Sequence, residues 1–184
     1  MSVTFVALLR GINVGGKNKL PMKDLAAMFA EAGCAGVRTY IQSGNVVFEA
    51  AQGAAARLPG VIEKRIAQQF GYRIPVILRT AKELGDVVAG NPFLKTGAAP
   101  ETLHVMFLAD RPGSGAIEAL DPHRSPPDEF IVQGREVYLR LPLGVARSKL
   151  TNNYFDAKLA TVSTGRNWRT VTTLLELMGG DTRR

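Results

Sequence analysis

The sequence predicts an α+β protein of two fused ferredoxin-like (alpha-beta plait) halves, each of order βαββαβ with an antiparallel sheet, closed by an extra C-terminal helix. Three observations predict it. An apolar run with β-branched or aromatic members opens each half, at residues 3–9 and 103–108. Each run is followed by helical periodicity and then by two short strands facing each other across a glycine-containing turn. A second helix and a last strand complete each half, and the C-terminal pattern Trp168, Val171, Leu174, Leu175, Met178 has helical spacing.

The first run, residues 3–9, reads as a buried central strand. A glycine-rich segment follows, and Pro21 suits the start of a helix, where its missing N–H costs nothing. Met22, Leu25, Met28 and Phe29 share one helix face, and Gly33 ends it. Residues 37–41 and 46–48 read as strands around Q-S-G-N, with Gly44 and Asn45 supplying positive φ. Residues 54–70 are mostly helical, with Pro59 marking a start or break, and 72–78 is a strand. Thr80 caps a helix over 80–90, and N-P-F-L-K-T-G-A-A-P is a connector. In the second half, 114–120 is a short helix, 130–133 and 137–141 form a hairpin, 148–160 is a helix capped by Ser148 or Thr151, and 161–164 is a short strand. The final helix spans 167–178, with Asn167 as a cap. The expected division is residues 1–79, a connecting helix and loop over 80–100, and 101–184.

Three segments carry a family resemblance: ALLRGINVGGKNKLPM, VRTYIQSGNVVF and TGRNWRTVTTLLEL. Together they resemble a bacterial family known as domain of unknown function 1697, from about Val3 to Leu177. The resemblance implies a tandem ferredoxin-like fold. It implies no activity, cofactor or substrate.

The chain has 184 residues, 46% of them hydrophobic, which suits one medium domain or two small ones. Lys and Arg number 23 against 16 Asp and Glu, for a formal charge of +7. Such a surface attracts nucleic acid, phosphorylated metabolites or acidic headgroups, and it is also compatible with a passive basic coat. The single cysteine, Cys34, forms no internal disulfide and reads as a buried small residue. His104 and His123 are the only histidines, and no metal-ligand spacing occurs. The opening segment is charged at Arg10, too early for a secretory signal, and no apolar run reaches the ~20 residues of a membrane span, so a cytoplasmic protein is expected.

Residues 11–17, G-I-N-V-G-G-K, meet the first seven positions of a phosphate-binding P-loop. The context does not follow. Asn18 stands where the magnesium-holding hydroxyl belongs, the helix starts several residues too late, and the sheet reads antiparallel. Asp110, at the end of an apolar strand, is the one feature in favour, and Asp is also an ordinary turn residue. Two readings stay open. Arg10, Gly11, Asn13, Gly15, Gly16 and Lys17 form an anion cradle of backbone N–H groups and cations, or they form a chain reversal with its lysines in solvent.

Ser43 and Asn45 belong to the hairpin turn, and the topology brings that turn to the end of the first strand. Arg147 and Lys149 sit near a helix start, and Arg166 precedes the last helix. These eleven residues are the candidate ligand-binding set. No nucleophile elbow, Cys-His pair or H-E-x-x-H occurs, so no catalytic residue is assigned. Three functions remain: binding of a phosphate-bearing or other anionic ligand, with nucleic acid favoured by the charge; a small-molecule enzyme acting on an anionic substrate; and a non-catalytic oligomeric scaffold. The RNA-recognition signature is missing, and only Tyr40 and Phe48 lie near suitable strands.

Overall fold

The computed structural model describes residues 2–179. Their elements run β1 (Ser2–Leu9), α1 (Met22–Glu31), β2 (Ala35–Tyr40), β3 (Asn45–Ala51), α2 (Gln52–Ala55), α3 (Leu58–Phe70), β4 (Val76–Thr80), α4 (Ala81–Gly90), β5 (Leu103–Leu108), α5 (Ser114–Glu118), β6 (Glu129–Gln133), β7 (Glu136–Arg140), α6 (Asn152–Leu159), β8 (Ser163–Asn167) and α7 (Trp168–Leu177). Two four-stranded antiparallel sheets result, in orders β2-β3-β1-β4 and β6-β7-β5-β8. The architecture is α+β. The described residues divide into two compact units, 2–86 with 174–179, and Val87–Thr173.

In the first unit, β1 is central, pairing with β3 from Ser2↔Ala51 to Leu8↔Asn45 and with β4 from Phe5↔Thr80 to Leu9↔Val76. Phe5, Ala7 and Leu9 join Val46, Phe48 and Ala50 in a core closed by Leu25, Met28 and Phe29 of α1 and Ile62 and Ile66 of α3. Val6 and Leu8, on the other face, are equally buried, which is why β1 is an unbroken apolar run rather than an alternating one. Cys34 lies in this core, and burial pushes its thiol pKa up.

In the second unit, Met106, Leu108, Val137 and Leu139 form a core with Tyr154, Phe155 and Leu159 of α6. Phe155 meets Phe130 and Tyr154 edge-on at centroid separations of 5.5 and 5.2 Å.

Several boundaries differ from the sequence expectation, each for a local reason. Pro21 is the N-cap, with φ −59° and ψ 130°, rather than the first helical residue. The helix expected over 54–70 splits, and Pro59 occupies the first turn of the longer piece. β4 starts at Val76 rather than Tyr72. Its ladder with β1 opens at Leu9↔Val76, just after Pro75, which has no N–H to offer. α6 begins at Asn152, four residues later than residue 148, because Thr151 is the residue that accepts the N–H of Tyr154. β8 is displaced to Ser163–Asn167, so Arg166 is a strand residue rather than a loop residue.

The two units repeat their junctions. Leu9 N–H donates to the Gly44 carbonyl at 2.9 Å, and Leu108 N–H donates to the Arg135 carbonyl at 2.8 Å. Arg10 N–H donates to Pro75 O, and Ala109 N–H to Val162 O. Arg79 sits opposite Val6, and Arg166 opposite Val105. Each arginine is buried and donates to the carbonyl of the residue before it, Leu78 at 2.9 Å and Gly165 at 2.7 Å. A capping residue follows in each case. Thr80 and Glu83 exchange bonds in a capping box, and Asn167 Oδ1 accepts the N–H of Thr170 at 2.8 Å.

The passage from the first strand to the first helix is not repeated. Residues 109–113 suffice to carry the chain from β5 to α5, whereas residues 10–21 separate β1 from α1. The first unit therefore carries an insertion of several residues, and it coincides with the glycine-rich segment.

Candidate functional site

The insertion folds as a miniature hairpin. Lys17 N–H donates to Val14 O at 3.0 Å, Asn13 N–H donates to Asn18 O at 3.2 Å, and Val14 and Lys17 form an isolated antiparallel bridge. Gly15 and Gly16 occupy the tip with φ of +57° and +75°. Two successive positive-φ residues are what a type I′ turn requires, which accounts for the Gly-Gly pair. Asn13 and Asn18 also have positive φ, a conformation that Asn tolerates better than most residues.

The P-loop reading fails on this geometry. Lys17 closes a hairpin, helix α1 begins only at Met22, and the surrounding sheet is antiparallel.

Asn13 organises the base of the hairpin. Its Nδ2 donates to the carbonyls of Leu20 at 2.8 Å and Gln42 at 2.9 Å, and its Oδ1 accepts the N–H of Leu20 at 2.8 Å. The amide is thus fully committed to the chain, with no hydrogen-bonding donor left over for a ligand. Asn18 Nδ2 donates to Gly11 O at 3.0 Å.

The Gln42 bond ties the hairpin to the β2–β3 connection. There Asn45 is completely buried, donating to Tyr40 O at 3.1 Å and Ser43 Oγ at 3.0 Å. Gly44 is packed so closely that a Cβ at that position would lie 2.7 Å from the Leu9 Cβ. The positive φ expected of Gly44 and Asn45 is instead carried by Gly44 and Ile41, because Asn45 is a strand residue braced from inside the turn. Ile41 has φ +50°, a strained backbone for a β-branched residue, and its side chain is 50% exposed.

The structure therefore gathers Arg10, Gly11, Asn13, Gly15, Gly16, Lys17, Ser43 and Asn45 at one end of the first sheet. Within that group the labour is divided. Asn13 and Asn45 are internal braces. Gly11, Gly15 and Gly16 have open space where a side chain would stand, so their peptide edges can be approached. Lys17 and Lys19 are exposed and, among the described residues, join no ion pair. Val14, 62% exposed, and Ile41 complete the surface. Sequence reasoning passed over these two. The signal that locates Val14 is the length of the β1–α1 passage, and nothing in the letters announces a strained Ile41.

Arg147, Lys149 and Arg166 lie in the second unit. Arg147 and Lys149 are exposed and precede α6 rather than sitting in its first turn. Lys149 N–H donates to Ser125 Oγ, and its carbonyl accepts from Arg124 Nε at 3.1 Å. Arg166 is an internal residue. Its guanidinium donates to Thr164 Oγ1 at 2.8 Å and Gly165 O at 2.7 Å, and burial brings its pKa down to about 10.

Among the described residues, no group of three or more His, Cys, Asp or Glu could hold a metal ion. None of their helices is long and apolar enough to cross a membrane.

Comparison with known proteins adds a family and a fold. A conserved bacterial protein of Streptococcus pneumoniae, SP0830, has a solved structure similar to this one, with a TM-score of 0.69 over 97% of this chain and 99% of that one. The two sequences are 19% identical, so the likeness speaks for the fold. No curated protein matches the chain. The family model described as "Protein of unknown function (DUF1697)" matches residues 2–138, and the chain belongs to that family.

Proposed function

We propose that this protein binds phosphate-bearing polyanions, nucleic acid foremost, through the glycine hairpin of its first unit, and that each half is a ferredoxin-like plait. The sheet order with the sequential partner strand at the edge, β2-β3-β1-β4 and β6-β7-β5-β8, supports the plait.

The observation that carries the functional reading is the insertion. The second unit makes the same strand-to-helix passage without it, so the fold does not require the hairpin. Four side-chain hydrogen bonds nevertheless hold it in one conformation. A rigid, surplus, glycine-tipped loop with two exposed, unpaired lysines and open peptide edges is suited to grip an extended anion. Phosphates reach such a surface without entering a pocket. Affinity then comes chiefly from counterion release, which makes it steeply salt-dependent and largely indifferent to base sequence. The formal charge of +7 adds long-range attraction.

The test is binding of short single- and double-stranded oligonucleotides at several salt concentrations. The expected result is a linear fall of log affinity with log salt, with a slope reduced by roughly one for each of Lys17→Ala and Lys19→Ala. Wild-type slope in the double variant would sink the reading. A second reading, a small anionic substrate, draws on the strained Ile41, since backbone strain gathers at working sites. A nucleotide or sugar phosphate that raises Tm regardless of salt, where oligonucleotides do not, would favour it over the first.

A further inference from the structure

We propose that the second unit contains a separate binding site for a small amphoteric molecule, one bearing a carboxylate-like anion and an N–H donor next to an apolar or planar group. The site is a cavity of about 560 Å³ lined by Pro100, Glu101, His104, Asn167, Trp168, Arg169 and Thr172. That volume falls within the range of small-molecule sites. Its walls come from the turn before β5, from β5 itself and from the β8–α7 junction, where His104 and Asn167 are register partners.

The chemistry follows from what these residues leave unused. Arg169 and Glu101 are both exposed and, among the described residues, neither forms an ion pair. One cavity thus presents a free cation and a free anion. Thr172 Oγ1 is spent on the carbonyls of Trp168 and Arg169, at 3.2 and 3.1 Å, and Asn167 Oδ1 caps α7. Trp168 is buried and turns part of its surface to the cavity, giving an apolar wall against which a ring or alkyl group packs.

His104 completes the lining, with its Nδ1 closed off from solvent. Burial lowers the His104 pKa, with the Thr102 backbone opposing it more weakly. The ring is therefore neutral at neutral pH, which leaves Arg169 as the cation of the cavity and Glu101 as its anion.

The protein carries one tryptophan, and it lines this cavity, so binding has an internal reporter. The experiment titrates the full-length protein with L-phenylalanine and L-leucine, exciting Trp168 selectively, with calorimetry in parallel. N-acetyl-L-phenylalanine and L-phenylalaninamide serve as probes stripped of one charge each. The expected result is a saturable change in Trp168 emission with the free amino acids, weakened about tenfold by either capping group. Arg169→Gln should remove the penalty for amidation, and Glu101→Gln the penalty for acetylation. The proposal is overturned if millimolar amino acid produces neither an emission change nor heat. It is also overturned if the capped probes bind as well as the free ones, a comparison made on unmodified protein and so independent of how the variants fold.

Discussion

The side-chain amide of Asn13 donates to the carbonyl of Gln42 at 2.9 Å across a sequence separation of 29 residues. This bond joins the glycine hairpin to the β2–β3 connection, and the same amide holds Leu20 from both sides. Asn13→Ala removes three hydrogen bonds and should cost about 2 kcal/mol, lowering Tm by about 4–8 °C for a chain of this size. Thermal unfolding followed by circular dichroism measures it. An unchanged Tm would show that the amide does not brace the loop.

Gly44→Ala should be among the more damaging small substitutions in the chain. The added Cβ meets the Leu9 Cβ at 2.7 Å and Ile12 at 3.1 Å, on a backbone with φ +79°. A loss of about 2–4 kcal/mol is expected, read from denaturant midpoints. Gly60→Ala is the internal comparison. It lies in α3 with no atom near the new methyl, and it should stabilise by about 0.5–1 kcal/mol.

Ile41→Gly relieves strain at an exposed site. The left-handed conformation costs a β-branched residue about 1–2 kcal/mol, and a half-exposed side chain recovers little of that by burial. The variant should unfold at higher denaturant than wild type. A simultaneous loss of oligonucleotide affinity would identify Ile41 as a residue whose strain serves binding. A destabilised variant would mean that the side chain is worth more in the fold than its exposure indicates.

His104 makes stability depend on pH. Its folded-state pKa lies below the ordinary 6.5, so the unfolded chain takes up the proton first. Its contribution is complete above that value and is lost as pH falls towards the folded-state pKa. Tm should therefore drop as the pH falls through 6.5 and below, more steeply than in His104→Gln. Glu101 and Arg169, lining the same cavity, are exposed and are not expected to reverse the sign. Identical curves for the two proteins would remove His104 from the account.

Much of this architecture was legible in the letters because its central strands, β1 and β5, are buried on both faces. Residues 103–108 read as a strand and are one, bounded at the residues expected. The helix faces of α1 and α7 were visible in their spacing, and Trp168 lies in the core as that spacing suggested. Errors gathered where one hydrogen bond decides a boundary. Ser148 and Thr151 are equivalent cap candidates by sequence, and only the Tyr154 N–H distinguishes them.

At the candidate site, the meeting of the glycine loop with the Q-S-G-N turn followed from topology alone. The inward use of Asn13 and Asn45 did not, since an amide beside glycines looks the same whether it faces a ligand or its own backbone. Arg166 was misleading for a related reason. A cation before a helix suggests an anion site, whereas here the guanidinium is folded back onto its own strand.

The last turns of α7 have a consequence for synthesis. Residues 174–179 belong to the first unit, and the Leu177 carbonyl accepts a 2.7 Å bond from Arg38 on the β2 edge. A ribosome delivers those residues after residues 2–173. The first unit, though begun first, is completed only when they emerge, because Arg38 then gains its acceptor and Thr4, Gly36, Val47 and Glu49 gain the residues 176–179 that line a cavity with them. A chain cut before residue 174 would leave the β2 edge of the first unit without that partner.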